Sequence, residues 1–357
     1  MINEIVSLSK ILIAVSTVIG DQKNLDLALE IVHQDLSDFK YQPFHSHGYN
    51  SILYYNTESY TSPFKIILNG QLDVAYAKDT QFTPYIKEGK LYGRGAYDMK
   101  GAAAVMVLLY KELANKVDYP LALQLTTDQE LDSYYGTRYQ IEQGVRAEFV
   151  VNTSTTKLNI SNESKGNMRL KITALGKRSA SAYIWEGQNA IWKMKKFLDV
   201  LEKDFSPPTE ERWMTTVNIG QLTTTNKDVT TVPEDCEVYL DIKFVKEDQE
   251  SILEKIKQLI PQDFTLEVLV NEPPHYTPKD NPYIQLFAQA AEQVIQKPAI
   301  VVPRYFIGSL RHYNAVGGHG ASFGPIGGNM HADNEWVDIQ SLADYYKILK
   351  KFLLSVK

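Results

Sequence analysis

Two short apolar runs, Lys65 to Asn69 and Leu121 to Thr126, each stop in a polar cluster: NGQLD after the first and TTDQE after the second. Between them a helical pattern opens at Gly101 and runs through the apolar stretch from Ala102 to Leu113. Buried strands that alternate with helices and end in polar side chains predict an α/β sheet, with its working groups gathered at the strand ends. The flanking segments agree. Ile5, Leu8, Leu12 and Val15 recur at helical spacing, and Leu25, Leu29, Val32 and Leu36 do so after a candidate cap at Asn24. Ser51 to Tyr55 reads as a strand, Asn281-Pro282 opens a helix to about Gln296, and Ile339 to Leu354 closes the chain as a helix.

A different order interrupts this pattern. Strand (Arg169 to Ala174), helix (Asn189 to Leu201), strand (Thr216 to Leu222), strand (Glu237 to Phe244), helix (Gln249 to Leu259) and strand (Thr265 to Val270) follow one another. That β-α-β-β-α-β order predicts a ferredoxin-like α+β module inserted into the first domain. The expected division is residues 1–167, 168–271 and 272–357, the outer two segments forming one domain.

Composition narrows the partners. The chain has 357 residues and a net charge of -6, with no long run of one sign, so a nucleic-acid footprint is not expected. The apolar stretch Ile11 to Val15 follows Glu4 and Lys10 rather than a basic leader, and no run approaches the roughly 18 apolar residues of a membrane span. A single cysteine, Cys236, rules out an intramolecular disulfide and a cysteine-rich metal site. A cytoplasmic protein with small-molecule or protein partners is expected, any metal being held by carboxylate and imidazole.

The segments LNGQLDV, LYGRGAYDMKG, TTDQEL and FGPIGGNMHADNEWV, in this order, resemble the zinc-dependent aminoacylase family that includes acetylornithine deacetylase, succinyl-diaminopimelate desuccinylase, carboxypeptidase G and related dipeptidases. The resemblance covers nearly the whole chain, including GQNAI and VNIGQL in the insertion. It implies a mixed-sheet zinc-peptidase-like catalytic domain with a ferredoxin-like lid or dimerisation domain. It also implies roles. Asp98 takes the place of the Asp that bridges two zincs, Glu130 that of a carboxylate ligand, and His331 that of the last histidine ligand; together they would form the protein shell of one zinc.

Other positions depart from the family pattern. Gln71 stands where the first histidine ligand belongs, and Gln129 where the general base belongs. The turn that should bring a further acidic ligand falls at Asn152, Thr153, Ser154 and Thr155. Asp73 keeps its place without the histidine it would orient and is expected to accept a hydrogen bond from Gln71. Ala180 replaces the histidine that reaches substrate across a dimer contact, and Ser309 replaces an Asp in the GSLR stretch. Arg311 is kept, either as a substrate-carboxylate anchor or as a structural salt-bridge partner. His45, His47, His312 and His319 carry no motif.

Two functions fit. The first is a relative that has lost one metal site and the general base, inactive as a two-zinc hydrolase, binding an amino-acid-like ligand or a partner with one zinc or none. The second is a one-zinc amidohydrolase acting on an N-acyl amino acid or dipeptide through Asp98, Glu130 and His331, with Asp128, Asp132 or Glu163 as a relocated base. A homodimer through the insertion is expected in principle, weakened by the loss at Ala180.

Overall fold

The computed structural model describes residues 1–357 and divides into two compact units. The first contains Met1–Glu163, Tyr276–Pro303 and Gly308–Lys357; the second contains Ser164–His275 and Arg304–Ile307. The insertion thus begins a few residues earlier than the sequence pattern indicates, ends a few later, and takes in a short return segment around Tyr305.

In the first unit, Phe64–Gln71 lies parallel to Leu121–Thr126 on one side and to Ala147–Thr153 on the other, and His319–Phe323 lies parallel to Ala147–Thr153. Tyr49–Tyr55 and Lys40–Ser46 extend the sheet antiparallel beyond Leu121–Thr126, so the sheet is mixed. Lys40–Ser46 is a strand the sequence pattern did not reveal; it is mostly exposed and contains Pro43, which suits an edge and erases the alternation a half-buried strand would show.

The parallel strands are apolar because helices cover them. Gly101–Leu113 buries Ala102 to Val107, Leu109, Tyr110 and Leu113, and the helices Ile2–Ile13, Pro282–Ile295 and Ile339–Ser355 share its core. Burying one such Leu or Met contributes about 1.5–3 kcal/mol. Gly101 is required where it stands, since a Cβ there would lie 2.5 Å from the Ala96 carbonyl oxygen. The second helix, Gln22–Leu36, starts earlier than expected: its cap is Asp21, whose carboxylate accepts the Asn24 N–H.

A second, small antiparallel sheet in this unit joins Tyr85–Lys87, Lys90–Tyr92, Trp336–Asp338 and Gly327–Gly328. Its central pairing sets Trp336 opposite Tyr92. The chain leaving Tyr92 and the chain entering Trp336 are therefore held side by side, which matters for the site.

The second unit is an antiparallel sheet in the order Thr216–Thr223, Asp235–Phe244, Gly166–Leu175, Phe264–Glu272. Strict alternation along Asp235–Phe244 turns Cys236, Val238, Leu240, Ile242 and Phe244 inward. The helices Ala190–Asp204 and Ile252–Leu259 bury Met194, Phe197, Leu201, Ile252 and Ile256 in that core. This is the ferredoxin-like arrangement. No helix of the protein is long and apolar enough to cross a membrane.

Candidate metal centre

The small sheet delivers two of the three expected ligands. Asp98 follows Tyr92 by six residues and His331 precedes Trp336 by five, so pairing those strands brings both loops to one place. Glu130 arrives from the carboxyl end of Leu121–Thr126. His331 Nε2 lies 3.1 Å from Asp98 Oδ2 and 3.8 Å from Glu130 Oε1. One ligand atom from each of the three lies within 4.8 Å of the others. Metal bonds of about 2.0–2.1 Å set tetrahedral ligand atoms about 3.3 Å apart, so the donor set fits a zinc-sized ion.

Backbone and electrostatics favour the same reading. His331 adopts a left-handed conformation, with φ 61°. For a residue with a Cβ this costs on the order of 1–3 kcal/mol and tends to persist at functional sites. The hydrogen bond to Asp98 pulls the His331 imidazole above its usual pKa. Burial pushes the Glu130 carboxyl up, and the Asp98 charge adds to the shift while His331 opposes it. Two carboxylates around one imidazole leave an acidic pocket that a divalent cation would neutralise.

The surroundings of Gln71 are built differently. Gln71 Nε2 donates to Asn152 Oδ1 at 2.8 Å and to Asn69 Oδ1 at 3.2 Å, while its Oε1 accepts from Thr153 Oγ1 at 2.5 Å. Ser309 Oγ donates to the same Asn152 oxygen at 2.9 Å. Asn69 continues the chain to Gln124, which also receives the Tyr313 hydroxyl. All of these side chains are buried. Three departures that stand far apart in the sequence, at Gln71, Asn152 and Ser309, are thus one hydrogen-bonded cluster.

That cluster corrects the expectation for Asp73. With the Gln71 amide fully engaged elsewhere, Asp73 accepts instead from the Glu130 backbone N–H at 2.8 Å. It anchors the turn that presents Glu130. Burial pushes its carboxyl up to about 7, against the opposing pull of the Glu130 N–H. Gln129 lies in the same turn and accepts the Ser133 hydroxyl at 2.7 Å.

Asp128 has no exposed surface, and its Oδ2 accepts the N–H groups of Tyr135 and Gly136. It shapes the loop and is out of reach of water as a replacement base. Arg311 is also fully buried; its guanidinium donates to the carbonyls of Gly308 at 2.9 Å and Asp132 at 2.6 Å and lies over the Tyr134 ring. Of the two readings of Arg311, these main-chain carbonyl contacts of a buried guanidinium support a structural role. Ala180, in the second unit, is exposed.

Sequence reasoning missed Arg94 and Glu335. They form a buried ion pair, Nη1 to Oε2 at 2.7 Å, and Glu335 Oε1 accepts the N–H groups of Tyr97 and Asp98 at 2.9 and 3.0 Å. Both lie inside the segments GRGAYDMKG and HADNEW, where the eye goes to Asp98 and His331.

Comparison with known proteins agrees with this fold. The chain is 24% identical to the succinyl-diaminopimelate desuccinylase of Nitratiruptor sp. over 383 residues, covering 99% of this chain and 100% of that protein. It is 24% identical to the enzyme of that name from Helicobacter pylori, over 83% of this chain and 80% of the relative. Among solved structures, aminopeptidase PepT from Bacillus cereus superposes with a TM-score of 0.79 at 14% identity, covering 99% of this chain and 98% of that one. A metallo-carboxypeptidase from Sulfolobus solfataricus gives 0.78 at 16%, covering 98% of each chain. Residues 67–355 match the model of peptidase family M20/M25/M40, and the chain belongs to that family.

Proposed function

We propose that this member of the family has given up two-metal amide hydrolysis and acts as a one-zinc protein that binds an amino-acid-derived ligand or a protein partner. The observation that carries this reading is the hydrogen bond between Gln71 and Asn152. Gln71, at the place of the first histidine ligand, is a neutral amide, and its partners Asn152 and Thr153 lie in the turn where the further acidic ligand belongs. An amide oxygen is a poor zinc ligand beside imidazole or carboxylate, and here the Gln71 oxygen already accepts the Thr153 hydroxyl and the Asn152 oxygen accepts from Gln71 and Ser309. Gln129 puts an amide at the base position, where it cannot take a proton from water; loss of a positioned base costs about 10²–10⁴ in rate.

Asp98, Glu130 and His331 would hold the remaining ion and leave one coordination position for a ligand. A zinc ion held by these three residues would supply a Lewis acid for a bound carbonyl. The same feature favours the second reading, a slow one-metal hydrolase of a linear amide or peptide bond, as the names of the relatives imply. Assembly as a homodimer through the second unit belongs to this proposal, with Ala180 removing one reason for it.

Metal analysis of the purified protein, with turnover of N-succinyl, N-acetyl and dipeptide substrates, tests the proposal. One zinc per chain and no turnover is the expected result; turnover above background selects the hydrolase. The triple variant Gln71→His, Gln129→Glu, Asn152→Asp is expected to take up a second ion and gain activity. Uptake of two ions by the unaltered protein would reject the one-metal reading.

A further inference from the structure

We propose that Glu335 is the positioning residue that holds Asp98 and His331 in ligand geometry. This rests on the reading that the triad takes a divalent cation. Glu335 occurs four residues after His331, on the strand entry that pairs with the loop leading to Asp98. Its main-chain carbonyl accepts the Gly93 N–H at 3.1 Å. Its carboxylate reaches into the Asp98 loop, where one oxygen collects both the Tyr97 and the Asp98 N–H groups. The other oxygen takes the Arg94 guanidinium, which also donates to the Tyr76 carbonyl. One side chain from the His331 segment thus fixes the backbone of the Asp98 residue itself.

The Asp98 loop needs such a clamp. Asp98 has φ -126° and ψ 86° inside an otherwise helical turn, so its N–H is not committed to a regular helix ladder. A buried acceptor is required for it, and a carboxylate that accepts two N–H groups and a guanidinium is fully used. Side chains of this kind orient metal ligands without touching the ion, and their loss typically weakens metal affinity about 10–100-fold. An ion pair that served stability alone would not need its carboxylate on the ligand's own N–H.

Glu335→Gln and Arg94→Gln separate these roles. Glu335→Gln turns an amide N–H₂ toward Arg94 or toward the Tyr97 and Asp98 N–H groups, so the clamp fails on one side. Arg94→Gln removes the guanidinium and leaves the carboxylate on both N–H groups. Unfolding midpoints, taken alongside metal binding, record what each variant costs in stability.

Titration with Co(II) followed by its visible spectrum is expected to show Glu335→Gln weakened about 10–100-fold and Arg94→Gln much less affected at similar loss of stability. Equal affinity of Glu335→Gln and the unaltered protein, or equal weakening in both variants, would overturn the inference. A crystal structure of metal-free Glu335→Gln provides a readout that needs no ion. The Asp98 Oδ2 to His331 Nε2 separation, 3.1 Å in the unaltered chain, is expected to open beyond hydrogen-bond reach; an unchanged separation overturns the inference too. If the unaltered protein takes up no Co(II), the proposed function fails, and this separation still decides the role of Glu335.

Discussion

At the triad, two carboxylates and an imidazole lie within 4.8 Å of one another with no lysine or arginine bonded to them, whereas the cluster around Gln71 is neutral, buried and closed on itself. The difference follows from donor and acceptor counts. An amide carries both, so Gln71, Asn69 and Asn152 satisfy one another with help from Thr153 and Ser309. Ionised carboxylates only accept, and Asp98 and Glu130 share a single imidazole. One cluster is complete without an ion, and the other would be completed by one.

The largest effect expected from this contrast is at the triad. Asp98→Asn or His331→Ala should abolish detectable Co(II) or Zn(II) uptake by calorimetric titration, while the same experiment on Gln71→Leu should leave uptake intact. Loss of uptake in Gln71→Leu would break the distinction between the two halves. Stability should respond in the opposite sense. Gln71→Leu strands the Asn152, Asn69 and Thr153 groups in a buried site and should cost about 1–3 kcal/mol in urea denaturation. Asp98→Asn, which relieves crowding of like charge in the metal-free protein, should cost little.

A smaller effect tests whether the same logic extends to the second unit. Lys165 is 2% exposed, and its ammonium lies 4.9 Å from the Tyr305 ring centroid and 5.6 Å from that of Trp213, with no carboxylate beside it. Burial lowers its pKa, so between that lowered value and the ordinary 10.5 the folded chain binds fewer protons than the unfolded one. Stability therefore rises as pH rises through that window. Lys165→Met should remove this rise and leave the protein at least as stable at neutral pH, as urea midpoints across pH 7 to 10 would show. Last, Lys78→Ala breaks an exposed ion pair with Asp333 beside the His331 loop and should change stability by less than about 1 kcal/mol. A larger change would mean that this loop depends on its surface as well as on Glu335.

Much of the fold was legible because its elements have strong periods. The apolar strands Phe64–Gln71 and Leu121–Thr126 are buried almost throughout, the helix Gly101–Leu113 exposes only its Lys111 side, and the alternation along Asp235–Phe244 is unbroken. Lys40–Ser46 was not legible, because an exposed edge strand has no face to advertise. At the site, Asp98, Glu130 and His331 came from motif positions. Asp73 was assigned the wrong partner, and Arg311 was left with two readings, because a hydrogen bond is chosen by competition among neighbours that are distant in sequence. Asp73 found the Glu130 N–H, and Arg311 found the carbonyls of Gly308 and Asp132.

The residue types at Gln71, Gln129 and Asn152 by themselves determined that these positions carry neutral amides, since no folding of the chain can turn an amide into a carboxylate. Only the tertiary structure decided what Gln71 and Asn152 bond to, bringing residues 71, 152 and 309 into one network, and set Glu335 against the Asp98 backbone. Charge is a property of the side chain, whereas satisfaction of a donor or acceptor belongs to the place where the chain puts it.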